Sequence, residues 1–477
     1  MKNASVTLLA VLVCAGAPRG ASAAAASSGE AAFRGVYKEL VETNTALSSG
    51  SCTLAAERMA AHLRTAGFPD SDLHLFAQPG HPKEGGLVAV YPGRDPKAKA
   101  MLLLAHLDVV EAKREDWTRD PFTLIEENGN FYARGSVDDK AEAAIWVDTL
   151  VRFRGEGFRP RRTIKLALTC GEEGALGAVN GAQWLTANHK DWIDAAFAIN
   201  EGARGELDAD GHRVALEVQA GEKTAQNFQL EVTNSGGHSS LPVQNNAIYH
   251  LAAALLKIGG YTFPAQFTDG NRAYFTGMAK IQAAQGKADV AKAMTALVRD
   301  PNDQQAIALV SSQDPGWNAT LRTTCVATML DGGHAPNALP QRARANVNCR
   351  IFPGVAIESV RAKLEELVAD PEVKVTAPPA RGPSSSPPPL TPQIMGPVEK
   401  LAAQFWPGVP VLPILQPGAT DGEFLNAAGI PTYGIEPLFL GPDFGHIHGL
   451  NEYVGVESLM QCRDFLYRLV RVYAEQK

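Results

Sequence analysis

Three apolar runs each end in residues capable of acid-base or metal chemistry. In KAMLLLAHLDVV, Lys99–Val110, the run ends in His106, one leucine and then Asp108. TIKLALT, Thr163–Thr169, leads into Cys170-Gly171-Glu172-Glu173-Gly174, and AAFAI, Ala195–Ile199, into Asn200-Glu201-Gly202. Such runs read as strands buried on both faces, with the polar residues at their carboxyl ends, where open α/β sheets place their ligands. His106 and Asp108, two apart on an extended segment, project to one side, so the imidazole can hold a metal through one nitrogen while a carboxylate fixes the other. Asp138-Asp139 arrives at the start of a helix expected to run to about Glu156. Taken singly these groups have ordinary readings: a strand-end histidine bonded to an acid, acids at helix N-termini, a glutamate in a turn. Taken together they crowd carboxylates at corresponding strand ends, where like charges repel and raise one another's pKa unless cations neutralise them. Two metal ions meet that requirement.

The surrounding pattern supplies a frame for these ends. From Ala31 to Gly67 the periodicity is helical, and strands follow over Gly86–Tyr91 and Ala100–Ala105. A loop whose Asn128-Gly129 step marks a hairpin turn delivers Asp138, and a helix is expected over Ala175–Asn188. Strands alternating with helices imply an α/β fold with a mostly parallel sheet flanked by helices. After Glu222 the character changes. Asn227–Thr233 alternates as a half-exposed strand, Arg322–Leu330 and Arg342–Phe352 read as strands, and Ile248–Ile258 and Ile357–Val368 as helices. These make a smaller α+β unit inserted in the larger one. Between them, residues 259–318 form a polar, Ala- and Gln-rich insertion of helices and loops. The Pro/Ser-rich stretch Ala377–Pro392 reads as a linker back to the large unit. The division expected is a signal segment at 1–23, a first catalytic part at 24–222, a lid at 223–380 and a second catalytic part at 381–477.

Composition fits this picture. A chain of 477 residues exceeds one ordinary core, and 45% hydrophobic with 20% charged residues is that of a globular protein. The net charge of -7, with no basic cluster, argues against a nucleic-acid partner. Lys2, the apolar Val6–Ala17 and Ala21-Ser22-Ala23 form a secretory signal pattern, which implies a periplasmic or secreted protein. No later segment is long enough to span a bilayer. Of the cysteines beyond the signal, Cys325 and Cys349 lie on neighbouring expected strands and are able to pair. Cys52, Cys170 and Cys462 read as core residues.

The segments LAHLDVV, ARGSVDDKAEAA, GEEG, NEG and, near the C-terminus, HGLNEYV together resemble the ordered motif set of the M20 metallopeptidase family. That family contains carboxypeptidases, carnosinase-type dipeptidases and N-acyl-amino-acid hydrolases. The resemblance covers nearly all of the chain beyond the signal. It implies a zinc-peptidase-like catalytic domain with an inserted lid that also serves for dimerisation. Asp138 resembles the carboxylate bridging two zinc ions, with cobalt or manganese as substitutes. His106 and Glu201 complete one metal's shell in that comparison, and Glu173 and His448 the other's. Glu172 resembles the general base, and Asp108 the acid that supports His106. Two positions depart from the pattern: Asn200 stands where many members have Asp, and Ala141 where Gly is usual.

In the lid, His238 of GGHSS matches the histidine that reaches a neighbouring subunit's site and stabilises an oxyanion. Asn337 of HAPNALP and Arg350 of NCRIFPG match residues that meet substrate, Arg350 by a bidentate pair with its carboxylate. The turn Gln416–Gly422, with Gly418, Ala419 and Thr420, resembles the family's GGTD-type loop. Its backbone N–H groups suit an anion, although Glu423 stands where relatives carry Arg. His446 lacks the family spacing that His448 has. The implied activity is hydrolysis of a peptide or amide bond next to a free carboxylate, by a homodimer acting on peptides or N-acyl amino acids. An aminoacylase-type amidohydrolase is the alternative, and a non-catalytic binding protein on the same fold a further one.

Overall fold

The computed structural model describes residues 29–174, 179–380 and 382–477. The signal segment lies outside the described residues, as does the beginning of the helix expected from Ala175, which is seen over Gly181–Asn188.

The strand Met101–His106 is buried along its whole length, as its unbroken apolar run dictates. It pairs in parallel with Ile164–Thr169 on one side and Phe197–Asn200 on the other. Thr432–Gly434 continues the sheet, parallel to Phe197–Asn200. The strand ends that lead to His106, Glu172 and Glu201 therefore open along one edge. Antiparallel strands His81–Tyr91 and Leu73–Gln78 extend one flank. Arg213–Glu222, paired in parallel with Val411–Gln416, builds the other flank of a ten-stranded sheet. The fold is mixed α/β with a mostly parallel central sheet and flanking helices.

The helix Lys140–Gly155 is buried nearly all round, enclosed by the sheet and the helices Glu30–Glu42, Cys52–Thr65 and Val456–Glu475. This burial fixes the helix start that follows Asp138-Asp139. Cys52 and Cys170 do not remain free core thiols: a disulfide joins the start of the helix Cys52–Thr65 to the residue just before Gly171-Glu172-Glu173. Sequence spacing gave no sign of this pair, since 118 positions separate its halves.

The smaller unit is a four-stranded antiparallel sheet in the order Thr324–Gly332, Arg342–Ile351, Thr224–Thr233, Val373–Thr376. Helices Ala247–Gly259 and Ile357–Val368 cover one face. Cys325 and Cys349 face each other across two strands and are disulfide-bonded, leaving buried Cys462 as the free cysteine among the described residues. The 259–318 stretch is largely helical, with helices at Asp269–Ala284, Ala288–Arg299, Gln304–Gln313 and Pro315–Leu321. Their apolar faces pack on Leu412, Ile414 and Ala215, so they cover the outer flank of the large sheet rather than the four-stranded one.

Candidate active site

At the end of its strand, His106 is almost completely buried. Its Nδ1 lies 3.0 Å from the backbone carbonyl of Asp108, which fixes the proton on Nδ1 and turns the Nε2 lone pair toward the carboxylates. Nε2 is 3.0 Å from Asp138 Oδ1 and 3.8 Å from Glu201 Oε1. The other oxygen of Asp138 lies 3.1 Å from His448 Nε2, which is 2.7 Å from Glu173 Oε1. Two clusters result, His106/Asp138/Glu201 and Asp138/Glu173/His448, and in each the donor atoms lie within 4.8 Å of one another. Asp138 belongs to both, with one oxygen facing each.

The electrostatics are those of a site built for cations. Burial works against ionising Asp138, yet its contacts with the imidazoles of His106 and His448 hold its carboxyl well below the usual range. Burial and then the Asp138 charge raise both Glu201 and Glu173. Bonds to Asp138 and Glu173 push His448 up to about 10. Carboxylates forced together in this way, with imidazole nitrogens between them, fit a pair of divalent metal ions.

Asp108 lies 3.6 Å from His106 Nδ1, and the same carboxylate also accepts from the backbone N–H of Glu173 at 2.9 Å and of Glu172 at 3.3 Å. A buried acid thus shapes the turn that presents Glu172. Asn200, beside Glu201, points away and donates to Thr420 Oγ1.

In the sequence Glu452 stands only as a member of HGLNEYV, with no role of its own. Fully buried, it accepts from the N–H groups of Gly135, Val137 and Asp138 and pairs with Arg134 at 2.7 Å. Arg134 also donates to Gly449 O, so one ion pair ties the Asp138 turn to the loop bearing His448. That loop holds Phe444, His446, His448 and Asn451 at positive φ, backbone strain of the kind that gathers at functional sites. His446 stays outside the clusters, bonded to Leu450 O.

Glu172, Glu173, Glu201, Asp138 and His448 line one cavity of about 210 Å³ together with Gly418, Ala419 and Thr420. Thr420 cannot offer its N–H to an anion, because Glu222 already accepts from it at 2.7 Å and from its hydroxyl at 3.0 Å. Gly418 and Ala419 line the cavity beside it. The cavity is also lined by Arg204, Glu217 and Glu436, which the sequence reading did not single out. No period or spacing marks them, since Glu217 lies on the strand Arg213–Glu222 while Arg204 and Glu436 stand in the loops after the strands Phe197–Asn200 and Thr432–Gly434.

The lid residues do not line this cavity within one chain. His238 sits exposed on a two-stranded antiparallel ribbon, Gly237–His238 with Ala338–Leu339, and Ser239 N–H donates to Asn337 O beside it. Ser240 N–H donates to His238 Nδ1, which places the ring proton on Nε2, the outward nitrogen. Arg350 lies near the end of the strand Arg342–Ile351, where its charge adds to burial in pushing the pKa of Lys223 down to about 7.

Residues 102–472 match the model of peptidase family M20/M25/M40. The chain belongs to the M20 family. It is an enzyme of that family's metallopeptidase and amidohydrolase kind. It is 27% identical over 442 residues to human N-fatty-acyl-amino acid synthase/hydrolase PM20D1, spanning 90% of this chain and 85% of the relative. Its fold is similar to the M20 family metallo-carboxypeptidase Sso-CP2 from Sulfolobus solfataricus, with TM-score 0.70 at 17% identity over 93% of this chain and 99% of the other. It is also similar to Bacillus subtilis YXEP, described as a dinuclear metal binding peptidase, with TM-score 0.57 at 12% identity over 93% and 97% of the two chains.

Proposed function

We propose that the M20 enzyme described here is a secreted or periplasmic dinuclear zinc hydrolase that cleaves a peptide or amide bond next to a free carboxylate. The observation that carries this reading is the pair of ligand clusters sharing Asp138, with Glu172 on the wall of the same cavity. His106, Asp138 and Glu201 would hold one ion, and Asp138, Glu173 and His448 the other. Mixed imidazole and carboxylate donors suit zinc, with cobalt or manganese as substitutes. Bound there, two divalent ions supply electrophilic activation of the scissile carbonyl and acidify the attacking water.

The chain's own groups do the remaining work. Glu172, held by the Asp108-anchored turn, removes a proton from water and returns it to the leaving nitrogen. Arg350 and Asn337 of the lid, with the Gly418 and Ala419 amides, bind the free carboxylate of the substrate. His238 donates from Nε2 to the developing oxyanion of a partner subunit. Its exposure and its absence from the lining of its own chain's cavity favour that action in trans. The strand Thr324–Gly332 supports a homodimer, since it is an unpaired edge whose Val326, Met329 and Leu330 are exposed.

Two disulfides support an oxidising compartment, in line with the signal pattern of the N-terminus. No helix among the described residues is long and apolar enough to cross a membrane. A second reading, an amidohydrolase of N-acyl amino acids, is favoured by the human relative's name. Elemental analysis of the purified mature protein, with hydrolysis of dipeptides and N-acyl amino acids before and after chelation, tests both. About two metal ions per chain and chelator-sensitive release of an amino acid are expected. A metal-free, inactive protein after zinc reconstitution would overturn the proposal.

A further inference from the structure

The cavity has a second end. From Glu201 its wall continues through Gly202 and Ala203 to Arg204, and Glu217, Glu436 and Leu440 complete it. Arg204 is the only arginine or lysine among the described residues of this lining. Its guanidinium lies 4.0 Å from the centre of the Phe444 ring. A stacked guanidinium keeps its N–H donors in its own plane, facing sideways rather than into the ring.

Among the described residues, no hydrogen bond or ion pair within 4.0 Å fills those donors. Glu217, Glu436 and Glu206 lie within electrostatic reach, yet none comes close enough to pair. Burial pushes the Glu217 carboxyl up to about 7, which weakens it as a counter-ion. The guanidinium is half-buried on the cavity wall with no acceptor among the described residues on its donors, and a planar oxyanion is the group that matches them best.

The dimensions restrict what can bring that oxyanion. A cavity of about 210 Å³ is below the roughly 300 to 1,000 Å³ of pockets that enclose drug-sized ligands. With acids and an arginine on its wall, it suits a short polar group and not a long alkyl chain. If the leaving amino acid's carboxylate goes to the lid, as in the proposed hydrolase reading on which this inference rests, the acyl side of the scissile bond points into the part lined by the catalytic half alone.

We propose that Arg204 is a specificity-determining residue that pairs with a carboxylate on the substrate's acyl side, making short dicarboxylic N-acyl amino acids the preferred substrates. Phe444 holds the guanidinium plane for that pair.

The test compares N-succinyl-leucine with N-butyryl-leucine, acyl groups of equal chain length with and without a terminal carboxylate, on the zinc-loaded mature protein. The wild type is expected to favour the succinyl substrate by about tenfold to hundredfold in kcat/KM, the range for one charge-assisted pair. Arg204→Gln should collapse that ratio, mainly through KM, and Arg204→Lys should keep part of it. Each ratio is measured on one preparation, so incomplete folding or metal loading cancels. Equal rates on both substrates by the wild type, or an unchanged ratio in Arg204→Gln, would overturn the inference while leaving the hydrolase reading standing. Hydrolysis of neither these nor any other peptide or N-acyl substrate would overturn that reading, and the inference with it.

Discussion

Asp138 presents one oxygen to His106 and the other to His448, so two ligand clusters depend on a single side chain. Asp138→Asn is therefore expected to lose both ions, whereas Glu201→Gln should weaken one. Metal per chain after dialysis reads the difference, and equal stoichiometry in the two variants would contradict the shared role. Glu172 groups with His106 and Glu173 but belongs to neither cluster built on Asp138, so with those two clusters intact Glu172→Gln should keep its metal and lose turnover by about a hundredfold or more. Retained activity would remove Glu172 from the base role. The residues of these clusters were legible because each follows a run of apolar residues or stands in a motif with fixed spacing. Glu452 and Arg204 were not. Glu452 acts through backbone amides more than 300 positions away, and Arg204 earns its place from a cavity wall that only the folded sheet assembles. The Thr420 amide illustrates the opposite failure: a turn of the right composition whose N–H is already taken by Glu222.

At the level of elements, the carboxylate loop and the base turn are each held by buried groups that titrate or cross-link. Burial raises Glu222 to about 7 from an ordinary value near 4.5. The native state thus keeps a proton that the unfolded chain has lost across pH 4.5 to 7. That contribution to stability is complete below 4.5 and is lost as pH rises through 7. Glu222→Gln stays neutral and still accepts from Thr420, so its stability should fall less than the wild type's between pH 5 and 8. The difference is at most about 3 kcal/mol, readable as a divergence of Tm with pH. Parallel pH profiles would show that Glu222 is ionised throughout. The Cys52–Cys170 disulfide closes a long loop next to the Glu172 turn. Replacing both cysteines by serine should cost about 4 kcal/mol in denaturant unfolding. The strands of the large sheet were readable because parallel strands buried on both faces show as unbroken apolar runs. Where the 259–318 helices dock was not, because amphipathic helices advertise an apolar face without saying which sheet it meets.

For the whole molecule, the question is whether the lid His238, which does not line the cavity of its own chain, acts across a dimer. In a two-fold dimer joined through the four-stranded sheets, each site takes Glu172 from one chain and His238 from the other. Glu172→Gln and His238→Ala chains should each be nearly inactive alone. If they are mixed, unfolded and refolded together, half of the dimers become mixed. Each mixed dimer has one site with both defects and one with intact Glu172 and intact His238. About a quarter of wild-type activity should return, and it should appear only under conditions that let subunits exchange. Charged substitutions on the exposed edge, such as Met329→Lys with Leu330→Glu, should shift the mature protein to a monomer in analytical ultracentrifugation and abolish turnover while two ions remain bound. Recovery of no activity from the mixture, with both variants folded and dimeric, would mean that His238 serves its own chain, and that the lid must close over the cavity within one subunit.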